Sequence, residues 1–282
     1  EAEVGLVCPP ELRSLVLSLP FDRSDDLVRE MHRDLLFYLP LDGDLSDHSG
    51  NEKRDPLNSA NLPTLTGSEG STVTEKAAYF DGTSECIELP GFTQPAAGLA
   101  VVYWFKPWQR GGNLDILVHF IEVPGVNTNF VMIQQTSTSA DTLRVRLTCS
   151  GNQQYMFAIP YTIDAWQHHV FQWNPDGTTK FYVDGILHSS AYTSGYCGPS
   201  SSIFYQSHRL GCYQSTANYY HFPAYVDEYR VYNRSLTDEE VYALYLHRLG
   251  SAKADIRDHS GYGRTATPYN ILYNSDLSYQ SV

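Results

Sequence analysis

The longest purely apolar run in the chain, Leu99 to Phe105, is only seven residues long. That length suits a β-strand buried on both faces and is too short for a typical amphipathic helix. A membrane span needs about 20 such residues, so no membrane insertion is expected. Lys106-Pro107 stops the run, and other short strand-like runs recur along the chain. Leu35 to Leu41 ends at the turn-forming Asp42-Gly43-Asp44, and Phe130 to Ile133 is followed by Thr142 to Thr148. The last of these alternates apolar and polar residues, as a half-solvated strand should. Trp166 to Gly185 reads as a hairpin: Asn174-Pro175-Asp176-Gly177 combines a Pro that presets φ with a Gly that accepts positive φ. Ile203 to Tyr205, His208 to Leu210 and Ala224 to Tyr232 complete the series. Many short strands with few helices predict an all-β, antiparallel two-sheet sandwich.

Two helices are expected at its flanks. Ser24-Asp25-Asp26 precedes Leu27, Val28 and Met31, and Thr237-Asp238-Glu239-Glu240 forms a capping box ahead of Val241, Leu244 and Tyr245. The polar stretch from Asn51 to Glu75 reads as loop. Asp47-His48-Ser49-Gly50 recurs as Asp258-His259-Ser260-Gly261, a short echo that fits a second, truncated copy or a mimic of its first turn.

The 19 basic residues against 32 acidic ones give a net charge of −13, which argues against a nucleic-acid partner and against docking on anionic membranes. Charged residues are only 18% of the chain while aromatics reach 13%, a balance that points to an extracellular β protein. Glu1-Ala2-Glu3 resembles the remnant of a clipped yeast secretion leader, which implies a secretory route. The five cysteines contain no C-x-x-C pair, so zinc ribbons and thioredoxin-type chemistry have no support. The five can form two bridges and one odd thiol in about 15 ways, among which the sequence does not choose; the single pairing taken as the expectation is Cys197–Cys212, whose loop of about 15 residues would stabilise by roughly 3 kcal/mol in the chain-entropy model. Cys8 is then the candidate for an odd thiol or an intermolecular disulfide.

Four segments, in order, resemble the laminin G-like members of the concanavalin A-like lectin-glucanase superfamily. They are Leu41 to Asn51; Ala78 to Ser84 with Ile87 to Pro90; Trp166 to Val170 with Phe181 to Gly185; and Val226 to Leu236. The resemblance covers residues 35–248. It departs at Glu52-Lys53-Arg54, and residues 1–33 and 250–282 have no counterpart. It implies a jelly-roll sandwich over 34–249, an N-terminal extension with a short helix over 1–33, and a C-terminal extension or the start of another module over 250–282. It further implies a binding role toward a glycan or an extracellular protein, with structural calcium as the candidate cofactor. Asp47, Asn51, Asp81 and Asp227 occupy family-like turn and strand positions and are the candidate calcium ligands, since calcium takes 6–8 oxygens in flexible geometry.

Catalytic patterns are missing. Sugar-bond hydrolysis needs two carboxylates flanking the bond, and the Glu-x-Asp-x-x-Glu pattern of the sandwich glucanases is absent. Asp227-Glu228 are adjacent and should point to opposite faces of a strand. The same holds for His168-His169, which reads as structural. Gly261 to Ala266 fits G-x-G-x-x-A but follows no strand. The chain is therefore read as non-catalytic.

The binding candidates are aromatic: Tyr196, Tyr205, Tyr213, Tyr219, Tyr220, His221 and Phe222, in a region with few charges. Asn233-Arg234-Ser235 is a glycosylation sequon in a turn. Two functions stand at this point, a glycan-recognition module and a protein-adhesion domain of a larger ectodomain; a third places the chain beside an extracellular enzyme.

Overall fold

A computed structural model describes residues 27–249 apart from 52–54, 58–60, 68–75, 113–114, 124–125, 138–139, 150–151, 193–198, 200–201 and 215–218, together with 256–257 and 265–266. In chain order the strands are β1 (Leu35–Leu39), β2 (Thr64–Thr66), β3 (Ala77–Asp81), β4 (Ile87–Leu89), β5 (Phe92–Thr93), β6 (Leu99–Pro107), β7 (Ile116–Val123), β8 (Val126–Ser137), β9 (Ala140–Cys149) and β10 (Asn152–Pro160). There follow β11 (Gln167–Trp173), β12 (Thr178–Val183), β13 (Ile186–Tyr192), β14 (Phe204–Tyr205), β15 (Ser207–Leu210), β16 (Cys212–Gln214), β17 (Tyr219–His221) and β18 (Pro223–Tyr232). Helix α1 (Asp238–Leu249) precedes the short pair β19 (Ile256–Arg257) and β20 (Thr265–Ala266).

Two antiparallel sheets carry the fold. One has eight strands in the order β13-β12-β11-β6-β18-β3-β2, with β1 also paired to β18; the other has six, β10-β9-β8-β7-β15-β4. This is the two-sheet sandwich expected from the strand pattern. Between the sheets lies a core that includes Phe37, Phe80, Tyr103, Phe105, Phe171, Phe181 and Tyr229 from the first and Val118, Phe120, Val131, Ile133, Val145 and Leu147 from the second.

The apolar run Leu99 to Phe105 sits in β6, buried on both sides. Its odd members enter the inter-sheet core, while Ala100 and Val102 join Val170, Tyr182, Tyr232, Val241 and Leu244 beneath α1. The capping box forms as expected: Glu240 N–H donates to Thr237 Oγ1 (3.2 Å) and Thr237 N–H to Glu240 Oε2 (2.8 Å). Arg234 then ties three elements together, holding Glu240 with two hydrogen bonds of 2.7 Å and Asp34 with one of 2.7 Å. The N-terminal helix occupies 27–31 and continues as a 3-10 turn at His32–Asp34, while its expected capping residues 24–26 lie outside the described residues.

Among the longer strands, β7, β10 and β13 were not expected from the sequence, nor was the β16–β17 hairpin, and the stretch expected as loop from 51 to 75 contains the edge strand β2, paired with β3. Asp227 and Glu228 do not follow simple alternation either. β18 pairs with β3 through residues 223–226 and with β1 from 229 onward, and a bulge falls between Asp227 and Arg230. Glu228 takes φ +53° there, and its carboxylate accepts from buried Arg230 and from Tyr38 Oη (3.2 Å). His168 and His169 are both buried, the first against Trp104 and Tyr245, the second against Tyr103, Phe105 and Phe181.

The disulfide differs from the expected one. Cys212 bonds Cys86, not Cys197, across a sequence separation of 126, because β15 lies beside β4 and brings the ends of distant loops together. Cys149 is also disulfide-bonded, and Cys8, Cys197 and Tyr196 lie outside the described residues. Closing so long a loop stabilises by about 4–5 kcal/mol in the chain-entropy model. Replacing the pair together (Cys86→Ser with Cys212→Ser) is expected to cost about 2–5 kcal/mol, read as a lower urea midpoint, with peptide mapping of the parent confirming the 86–212 linkage.

Candidate functional site

Alternation in the six-stranded sheet sends one set of side chains into the core and the other outward. The outward set lines up in register. Glu88, Arg209, His119, Met132, Arg146 and Tyr155 are successive partners from β4 through β15, β7, β8 and β9 to β10. Ile121, Phe130 and Thr148 form the neighbouring row, with Ser207 beyond Ile121. Five strand-to-strand steps make this face about 24 Å wide.

The hairpin β16–β17 roofs part of it. Tyr213 stacks on Tyr220 (6.0 Å between centroids) and meets His119 edge-on (4.8 Å), and both tyrosines pack on Ile116, Ile121, Phe130 and Met132. The hairpin is pinned at its base. Cys212 is bridged to Cys86, the neighbouring Glu85 carbonyl accepts from His221 Nδ1 (3.1 Å), and the Phe222 ring is buried in the core. Gly211 N–H donates to the Leu117 carbonyl (2.7 Å), and Phe222 N–H to the Gly211 carbonyl (3.0 Å). Gly211 stands at φ +82°, and a Cβ there would run into the Phe80 ring. Gly211→Ala is therefore expected to destabilise by about 3 kcal/mol and to loosen the hairpin, seen as a lower melting temperature and faster amide exchange at Tyr213 and Tyr220.

Beyond the roof, aromatic rings and guanidiniums interleave. Arg146 lies over the Phe130 ring (4.6 Å) and near that of Tyr155 (5.6 Å), and Arg144 lies over Tyr155 (4.4 Å), whose side chain is 55% exposed. Buried polar atoms without a hydrogen-bond partner concentrate on the same face: His119 Nδ1 and Nε2, Gln134 Oε1, Arg144 Nε, Arg146 Nε, Thr148 Oγ1 and Ser207 Oγ. Such atoms in a native sheet call for water or a ligand. Arg209, by contrast, is already paired with Glu88 (3.2 Å).

Burial holds the face's histidine neutral. It pushes His119 down to about 3, helped by Arg209 and Arg146; it pushes His169 down to about 3 and His168 well below the ordinary imidazole range. All three bind a proton near pH 6.5 once unfolded, so the stability tied to their neutral forms is present above about 6.5 and is lost as pH falls toward 3. The urea midpoint is expected to fall between about pH 7 and pH 5, and His119→Gln to reduce the proton uptake on unfolding by about one.

Of the seven aromatic candidates, Tyr213 and Tyr220 belong to this surface. Tyr205 and Phe222 do not: both are buried, Tyr205 against Phe92 and Phe120 and Phe222 against Phe105 and Tyr161. His221 is buried and serves as the hairpin's anchor, and Tyr219 lies in β17. Arg144, Arg146, His119 and Tyr155 were not singled out from sequence, although Thr142 to Thr148 already showed the alternation that projects the two arginines outward.

The four expected calcium ligands do not form one ion site. Asp47 accepts from Tyr38 N–H (2.9 Å) and from Ser49, and Asn51 Nδ2 donates to the Leu35 carbonyl (2.6 Å). Asp81 stands opposite Pro223, whereas Tyr38 stands opposite Arg230, which separates Asp81 from Asp47 by about 20 Å of strand β18. Burial alone would raise the Asp81 carboxyl, but hydrogen bonds from Thr83 and Ser84 hold it well below the usual range. Asp227 is fully buried and accepts from Glu228 N–H (2.9 Å). Among the described residues no group of three or more His, Cys, Asp or Glu side chains could hold a metal. Asn233 is partly exposed, and its N–H donates to the Asp34 carbonyl (2.8 Å), so the sequon also closes the turn before α1.

A separate cavity of about 250 Å³ lies on the other side of the sandwich, lined by residues that include Arg29, His32, Tyr38, Arg230 and His247. Its most buried cation, Arg230, is neutralised by Glu228, and Arg29 and His247 are engaged in further interactions.

A family model described as the concanavalin A-like lectin/glucanases superfamily, laminin G type, matches residues 81–242. No curated protein matches the chain. Among solved structures, it is similar to a botulinum neurotoxin serotype D ligand-binding domain in complex with N-acetylneuraminic acid, at 12% identity and TM-score 0.60, covering 82% of this chain and 55% of that one. It is also similar to a botulinum neurotoxin DC binding domain in complex with rat synaptotagmin II, at 13% identity and TM-score 0.54, covering 77% of this chain and 52% of that one. The chain thus spans about half the length of these structures, and at such identity the likeness is one of fold.

Proposed function

Because this chain belongs to the concanavalin A-like lectin/glucanases superfamily, we propose that it is a non-catalytic, extracellular glycan-binding module whose binding face is the outer face of the six-stranded sheet. The observation that carries this reading is the concentration of partnerless polar atoms on that face, set between the exposed ring of Tyr155 and the roof tyrosines Tyr213 and Tyr220. Sugars present apolar faces that stack on aromatic rings and hydroxyls that exchange hydrogen bonds with imidazole, amide, hydroxyl and guanidinium groups.

Binding rather than cleavage is favoured by the charges. Hydrolysis of a sugar bond uses two carboxylates about 5 to 9.5 Å apart. In the cross-sheet row the one carboxylate is Glu88, already bonded to Arg209. The extracellular setting is favoured by the Cys86–Cys212 disulfide, since such bridges persist in oxidising compartments. No described helix is long and apolar enough to cross a membrane.

Glycan-array binding, followed by titration of the hits, tests the reading. Tyr155→Ala is expected to weaken the best hit about tenfold while leaving the melting temperature unchanged, since the ring is exposed. The same array read in EDTA tests the calcium expectation: with Asp47, Asn51, Asp81 and Asp227 dispersed, binding persists under chelation, and its loss would put an ion in the site. An empty array, with a protein partner captured instead, would replace this reading by the adhesion-domain one.

A further inference from the structure

Strand β9 carries Arg144 and Arg146 at alternate positions, so both leave the same face of the sheet, about 7 Å apart along the strand. Each is held by rings: Arg146 between Phe130 and Tyr155, Arg144 over Tyr155. Neither makes an ion pair with a described residue, and the Nε of each is buried without an acceptor. The carboxylate of the same cross-sheet row, Glu88, is already bonded to Arg209. In a chain of net charge −13, two adjacent guanidiniums thus stand pre-ordered and lack a counter-charge among the described residues.

A partly desolvated cation without a counter-ion is costly, and covering it with a neutral ligand would raise that cost by removing water. A planar or tetrahedral oxyanion removes it, because its oxygens match the guanidinium fork. Stacking on Phe130 and Tyr155 keeps the forks in place, so little side-chain entropy is lost when the anion arrives.

From this we infer that the face binds an anionic glycan, with a carboxylate or sulfate group seated against Arg144 and Arg146; the inference rests on the glycan reading of the same face. Tyr155 stacks on the sugar ring that carries or adjoins the acid group. The negative remainder of the chain disfavours a long uniform polyanion such as a nucleic acid, whose affinity depends on neutralising many phosphates.

The test is a titration of the intact chain with neutral, carboxylated and sulfated oligosaccharides built on one backbone, repeated with Arg144→Gln and Arg146→Gln. The acidic ligands are expected to bind about tenfold or more tighter than the neutral one, and added salt to shrink that margin. Each glutamine variant is expected to weaken the acidic ligands by a larger factor than the neutral one, so that the acidic-to-neutral ratio falls toward one, and Arg146→Lys, which keeps the charge without the fork, to fall between. The carboxylated and sulfated arms show which acid group is used. Equal binding of neutral and acidic ligands by the parent chain overturns this inference while the glycan reading stands. No binding in any arm overturns the glycan reading itself. Equal loss of neutral and acidic binding in a glutamine variant of unchanged melting temperature removes the charge-specific role. The salt dependence of the parent chain decides the matter even for a variant that fails to fold.

Discussion

The structure depends on one asymmetry of burial. The eight-stranded sheet is covered twice, by the second sheet on one side and by α1 on the other, so its central strands β6 and β18 are buried on both faces along almost their whole length. The six-stranded sheet is covered fully on one side, and among the described residues its outer face meets the small β16–β17 hairpin. Hydrophobic burial therefore fills three sheet faces and leaves the fourth to arginines, a histidine, hydroxyls and aromatic rings. That fourth face is where a binding surface costs the fold least.

Local devices hold this arrangement in register. The bulge at Asp227 and Glu228 lets β18 exchange one neighbour, β3, for another, β1, and it turns Glu228 toward Arg230 and Tyr38. Arg234 then fastens the turn after β18 to α1 and to Asp34. At the opposite sheet, Gly211, the Cys86–Cys212 bridge and the His221 hydrogen bond fix where the roof hairpin leaves the sandwich. Side chains on a pinned hairpin and on strands would lose little freedom on taking a ligand, which is what the proposed binding face asks of them.

The architecture was largely legible in the chain. The apolar run of β6, the turn Asn174 to Gly177 and the capping box at Thr237 each form as their residue types require, because each is a local pattern with a local cause. Strands β7, β10 and β13 were less visible: His119, Tyr155 and His188 interrupt their apolar alternation, and only pairing with neighbours decides them. Alternation is also blind to bulges, so the Asp227–Glu228 geometry could not be read from it. The aromatic candidates part company for a similar reason. Tyr213 and Tyr220 face outward while Tyr205 and Phe222, of the same chemistry and the same neighbourhood, turn into the core.

What the amino-acid sequence determined by itself is therefore the class and its limits: a two-sheet β-sandwich with capped flanking helix, an acidic chain of net charge −13, and no apolar segment of membrane-spanning length. These follow from periodicity, turn chemistry and net charge, all of which act over a few residues or over the whole chain. Tertiary structure alone decided the rest. It paired Cys212 with a cysteine 126 residues away, set Asp81 far along β18 from Asp47, and set Arg146 of β9 beside Phe130 of β8 and Tyr155 of β10. Those relations depend on which strands become neighbours, a choice made by the burial of whole sheets rather than by any segment's own preference.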